Sequence, residues 1–283
     1  MKVLFLLFMI FLSPIRGESL NIYFSSGIDG NVRSCTCTLV PLAGLSRRLS
    51  FLEKKKVLPM KDILIEGGGY LGNKLPQDKF NSLFESFLAM KYHFLGIQTH
   101  DLKYLESKSF SKFLMPIVTG NFASKKKSNA VKMADVVLRD GRKIAFTNIL
   151  GKNGNGIPDD LLTDFDWKSP AESITKISED SKYDFLILHL EGNEKDLLSL
   201  KKIINPSRTL VLFHPDTKVS YQKKAFPGLG TVYAIDESLG NRIYHWNLDT
   251  EKLTIQPQKT IDLDVDDLKD HKLIDAIADK YGI

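Results

Sequence analysis

Lys61–Asn73 reads KDILIEGGGYLGN. The β-prone run Asp62–Ile65 ends in Glu66 and three consecutive glycines. A short apolar run of this kind predicts a buried parallel strand whose carboxyl end opens into a tight loop. Glycine tolerates φ > 0 and admits the close approach of a second backbone or a ligand. In open α/β sheets, strand C-ends are where ligands bind. Glu66 is the one side chain of this loop able to bind a metal.

Upstream, Asn21–Phe24 predicts a strand that runs into the polar loop Ser25–Asn31. Gly44–Lys54 carries Leu45, Leu49 and Leu52 at helical spacing, with Arg47 and Arg48 to one side. Pro59 breaks the chain before the next strand. Strand, helix, strand in this order implies parallel pairing through a right-handed crossover. Downstream, Asp78–Met90 places Phe80, Leu83, Phe84, Phe87 and Leu88 on one broad apolar helix face. Further strands are expected at Tyr92–Ile97, Pro116–Val118, Phe185–His189 and Thr209–Phe213, each ending in polar residues. Asp140-Gly141 between two β-prone runs is a hairpin signal. Val232–Ile235 and Arg242–Leu248 alternate like an antiparallel pair. Pro170–Glu179, Asp196–Ile204 and Leu268–Tyr281 have helical spacing.

The chain has 283 residues, 43% hydrophobic and 26% charged, ample for a large core. Residues 1–17, MKVLFLLFMIFLSPIRG, read as a signal peptide: Lys2, an apolar run Val3–Leu12, then a small-residue zone. The run is too short for a spanning helix. Export to the periplasm or outside is expected, with an uncleaved N-terminal anchor as the alternative and the only expected membrane contact. Cleavage removes two basic residues and no acidic one, taking the net charge from +5 to +3. The lysine runs 54–56 and 125–127 lack interleaved aromatics, so no nucleic-acid polymer is expected as partner. Residues 18–255 form the expected α/β domain, and 256–283 an acidic connector with an amphipathic helix. Cys35 and Cys37, the only cysteines, form either a small disulfide loop, part of a metal site or free thiols.

The order of the strand-end loops resembles that of the calcineurin-like metallophosphoesterases. The branch it is most similar to is the N-terminal catalytic domain of bacterial periplasmic 5′-nucleotidases. The resemblance covers Ile22 to about Leu248 and lies in order and framing. It implies a four-layer αββα sandwich of mixed sheets flanked by helices, with two metal ions on strand-end loops. The family's Asp-x-His falls on Gly27-Ile28-Asp29, so Gly27 replaces the aspartate and Asp29 stands at the histidine. Gly-Gly-Asp falls on Gly67-Gly68-Gly69, and Gly69 replaces the bridging carboxylate. Gly-Asn-His-Glu falls on Gly96-Ile97-Gln98-Thr99, which puts Gln98 at the acid. A shifted alignment puts Thr99-His100-Asp101 on the Asn-His-Glu instead, with His100 at the acid and Asp101 as a carboxylate. Asn121 closes the next strand motif, and His189 and His214 fit the two late histidines.

These departures imply an exported module with a degenerate metal centre, a non-catalytic binding or structural role, and no cofactor. Two alternatives stay open. One is an active phosphoesterase holding one Zn²⁺ or Mn²⁺ ion on Asp29, His189 and His214, with His100 or Gln98 as the catalytic group. The other is an interaction protein working through Cys35 and Cys37. The loop Asn153–Asp160 and the acidic run Asp262–Asp267 match no calcium motif; the latter is expected to cap the last helix with negative charge. Partner and substrate are not specified by any motif.

Overall fold

The computed structural model describes residues 19–35, 43–59, 61–70, 77–104, 117–125, 130–138, 140–151, 165–180, 182–215, 223–236, 241–256, 259–263 and 268–283. The leader, Cys37, the Asn153–Asp160 loop and Asp264–Asp267 lie outside them. No helix among the described residues is long and apolar enough to cross a membrane.

An eight-stranded sheet contains β1 (Ser19–Ser25), β2 (Asp62–Glu66), β3 (Phe94–Leu95), β4 (Ile117–Val118) and β6 (Ala130–Val131). Its other edge is built from the C-terminal part: β14 (Arg242–Asp249), β15 (Thr254–Ile255) and β16 (Lys259–Asp262). β5 (Phe122–Ser124) pairs apart from it with β9 (Phe165–Trp167). A six-stranded sheet contains β7 (Ala134–Val137), β8 (Lys143–Leu150), β10 (Phe185–Gly192), β11 (Thr209–Pro215), β12 (Lys223–Phe226) and β13 (Gly230–Ala234). Its central strands β8, β10, β11 and β13 are parallel. The helices are α1 (Gly44–Lys54), α2 (Gln77–Met90), α3 (Pro170–Asp180), α4 (Glu194–Ser199) and α5 (Lys272–Lys280).

Three apolar layers follow from the period of two along each strand. Leu20, Ile22, Phe24, Ile63 and Ile65 of the first sheet meet Ile144, Phe146, Ile187 and Leu212 of the second. On the outer face of the first sheet, Leu64 packs with Leu45 and Leu49 of α1, Phe84 and Phe87 of α2 and Ile274 of α5. On the outer face of the second, Leu186 and Leu188 pack with Ile174 of α3 and Leu197 of α4. This is the αββα sandwich expected from the sequence, and strands buried on both faces explain the nearly continuous apolar runs.

β1 and β2 pair in parallel around α1, and the Asp140-Gly141 hairpin joins β7 to β8. β13 and β14 are not partners: β13 lies in the second sheet and β14 beside β1 in the first. Alternation identifies a strand with two unlike faces but does not choose its neighbour. Here Tyr233 and Trp246 meet edge-on across the sandwich, ring centres 5.5 Å apart. The last helix also starts later than its spacing suggested. His271 caps it, its Nδ1 accepting the Leu273 N–H at 3.2 Å, in place of the expected carboxylate.

Candidate functional site

The strand-end loops of β1, β2 and β3 fold onto one another through the backbone. Gly27 N–H donates to Gly68 O and Asp29 N–H to Gly69 O, both at 2.8 Å. A 3₁₀ turn over Thr99–Tyr104 brings in Asp101. Its buried carboxylate accepts N–H bonds from Gly69 (2.7 Å), Tyr70 (3.0 Å) and Gln98 (2.9 Å). Burial pushes this carboxyl up, while His100 and the three N–H donors pull it down.

Beneath the loop, Glu66 is fully buried and faces Arg48 of α1, also fully buried, at 2.5 Å. Ser25 Oγ donates to Glu66 at 2.8 Å and lies 3.1 Å from the Tyr92 hydroxyl. Burial pushes the Glu66 carboxyl up against the pull of Arg48 and Ser25. The expectation that Glu66 could serve a metal is therefore corrected: it is the counter-charge of Arg48, and the helix face read as an arginine side carries a core residue.

The late histidines reach the same place from the second sheet. His189 of β10 stands in register with Asn148 of β8. Asn148 Nδ2 donates to Ile97 O at 2.8 Å, so its Oδ1 is the acceptor for His189 Nδ1–H at 2.6 Å. This fixes the tautomer and leaves Nε2 as a bare lone pair. Nε2 is buried with no hydrogen-bond partner among the described residues. Burial, then the neighbouring His214, holds the ring well below its usual titration range, hence neutral. The His189 and His214 rings are 6.2 Å apart. Gln98 Nε2 lies 2.9 Å from His214 Nδ1. Its Oε1 turns to the glycine loop: a Cβ added at Gly69 would sit 2.7 Å from it and 2.8 Å from Gly27 Cα.

Gly69, Gln98, His189 and His214 thus converge, whereas the other expected residues that lie among the described ones do not join them. The Asp29 side chain is exposed, its backbone at φ 49°. His100 is 40% exposed, with its Nε2 3.9 Å from the Asp101 carboxylate. Asn121 pins backbone instead: its amide donates to Leu150 O and Lys168 O, and its Oδ1 accepts from Leu150 N–H. Cys35 is disulfide-bonded. Glu191, at the end of β10, accepts the Thr99 N–H at 2.8 Å, and burial raises its carboxyl to about 7.

The sequence reading missed Asn148, and it had Asp101 only as the carboxylate of the shifted alignment. An amide inside the apolar run Ile144–Leu150 was the available signal for the first, since a buried amide demands partners. We expect Asn148→Ala to strand both Ile97 O and the His189 N–H, at about 1–3 kcal/mol for each group left unsatisfied. Denaturant unfolding measures this; a midpoint shift too small to register would mean that Asn148 does not hold the histidine.

A two-ion centre needs a carboxylate bridging ions about 3.5–4 Å apart. The residues do not fit one. Gln98 and the Gly27 backbone fill the space that a side chain at Gly69 would need, and the described residues contain no group of three histidine, cysteine or acidic side chains placed to hold an ion.

No family model matches the chain, and no curated protein sequence does either. Solved structures do match. A 5′-nucleotidase precursor from Thermus thermophilus superposes with a TM-score of 0.70 at 11% identity, over 93% of this chain and 58% of its own. A 5′-nucleotidase from Candida albicans gives 0.69 at 12% identity, over 95% and 58%. A phosphatase from Mycoplasma pneumoniae gives 0.57 at 10% identity, over 91% and 96%. The chain therefore spans somewhat over half the length of the two nucleotidases. At such identities the likeness is one of fold: the chain has the metallophosphoesterase-like architecture of the 5′-nucleotidases.

Proposed function

We propose that this chain is an exported metallophosphoesterase-like module that has exchanged its metal centre for a packed polar cluster, and that it serves as a binding or structural unit without turnover. The observation that carries this reading is the seat of Gln98. Its side-chain oxygen occupies the space that a carboxylate at Gly69 would need. Its amide nitrogen engages His214 at 2.9 Å. Asn148 adds a second amide on His189. Neutral amides stand where this fold would need charges to hold cations, and both imidazoles are tied to them by hydrogen bonds. Export rests on the leader sequence.

The alternative is an active phosphoesterase with one divalent ion at a site built from Asp29, His100, His189 and His214; His189 Nε2 is a buried nitrogen that lacks a hydrogen-bond partner among the described residues. Metal analysis with turnover separates the two. We expect purified protein without stoichiometric Zn²⁺ or Mn²⁺ and inert on nitrophenyl phosphate and nucleotides. Stoichiometric metal, with hydrolysis abolished by His214→Ala, would overturn the proposal.

A further inference from the structure

A groove of about 410 Å³ lies on the outer face of the eight-stranded sheet, away from the strand-end cluster, between the end of α1 and β16. Tyr23 of β1 and His245 of β14 line it as a stacked pair, ring centres 4.6 Å apart and 10° from parallel. Phe51, Ile261 and Leu268 add apolar wall. Lys54, Lys55 and Lys259 complete the lining, all three exposed. None of the three forms an ion pair among the described residues; Lys55 only overhangs the Phe51 ring at 5.9 Å. Among the described residues the groove's single acid is Asp262, held by Arg242 at 2.5 Å, which offsets its charge.

The polar edge of the floor is also ordered. Asn21 Nδ2 donates to Asp62 at 2.7 Å, so Asn21 Oδ1 receives the His245 Nε2–H at 3.0 Å. His245 Nδ1 is then an acceptor. Burial and Lys259 keep this ring neutral, and burial with Asp62 raises the Tyr23 hydroxyl to about 12, so it remains a donor. An apolar cavity with a few convergent polar groups is the usual form of a small-molecule site. Three lysines without counter-ions among the described residues ask for an anion, which ammonium groups bind as point charges.

We propose that this groove binds a small aromatic anion, a planar ring bearing a phosphate, sulfonate or carboxylate, with the ring against Tyr23, Phe51 and Ile261 and the acid among the three lysines. The site stands whether or not the strand-end cluster is catalytic.

Calorimetric titration of the full chain with naphthalene-2-sulfonate and with neutral naphthalene-2-methanol tests it. The sulfonate binds more tightly, and the preference shrinks as salt rises from about 0.1 M to about 1 M. The triple variant K54Q/K55Q/K259Q loses about tenfold in sulfonate affinity and nothing for the alcohol. Tyr23→Leu weakens both probes. The lysines are exposed, so the triple variant keeps the melting temperature of the parent. Equal affinities for the two probes in the parent chain, or undiminished sulfonate binding by the triple variant, would overturn the proposal.

Discussion

Arg48→Ala is expected to cost about 3–5 kcal/mol of folding stability, the usual result of removing one partner from a buried ion pair. Total stabilities of domains are of order 5–15 kcal/mol, so most of the margin is at stake. Glu66 would remain fully buried with the Ser25 hydroxyl as its chief partner. The loss should depend on pH. Without the guanidinium, burial and the nearby Asp101 raise the folded carboxyl further above its unfolded value of about 4.3. A raised carboxyl favours the protonated form in the folded chain. The deficit is therefore smallest below the unfolded value and grows as pH rises through the folded one. Melting curves at about pH 5 and pH 8 read this directly. Arg48→Met keeps the aliphatic stem and isolates the charge. Combined with Glu66→Gln it should recover more than half of the loss, because the pair is then removed together. A double variant as unstable as Arg48→Met would show that packing, not the stranded charge, is the cause.

Gly69→Asp, which puts a carboxylate where the sequence resemblance expects a bridging one, should destabilise rather than repair. The residue sits at φ +74°, a conformation costing an L side chain roughly 1–2 kcal/mol. Its Cβ would press on Gln98 Oε1 at 2.7 Å and on the Gly27 backbone at 2.8 and 2.9 Å. Overpacking of this kind adds about 1–3 kcal/mol. Gly27→Asp is the control. It has a similar φ of +69° but nothing within 4 Å of its Cβ, so only the backbone contribution remains. The difference between the two unfolding midpoints isolates the filled space. If Gly69→Asp is as stable as Gly27→Asp and gains Mn²⁺ affinity, the cleft is open and our account of Gln98 fails.

The architecture was legible because it rests on local signals. Ile22, Phe24, Ile63 and Ile65 announce strands, and Asp140-Gly141 announces its hairpin. The order of the loops then points to the sandwich. What stayed hidden is pairwise. Alternation in Val232–Ile235 and Arg242–Leu248 reveals two strands but not that the two sheets divide them. Gln98 reads from sequence as the absence of an acid; only the fold shows it lying against both Gly69 and His214. Arg48 lies in a helix whose arginines read as one side, and only the crossover places it over Glu66. Asn148 and His189 are separated by a full crossover and meet through strand register, which no spacing within either segment encodes.

The place of β1 sets a timetable. Ser19 pairs with Asp249 and Phe24 with Tyr244, so the first described strand is held on one side by one more than 200 residues later in the chain. A ribosome delivers β1 and β2 early and β14 late. The second sheet, drawn entirely from residues 134 to 234, has all its strands before β14 exists. Until then the edge of β1 offers unpaired N–H and C=O groups to any passing strand. Such distant pairings form slowly once both ends are present. The first sheet can therefore be completed only after β16 has been synthesised, and until then its half-built edge stays open to wrong pairing.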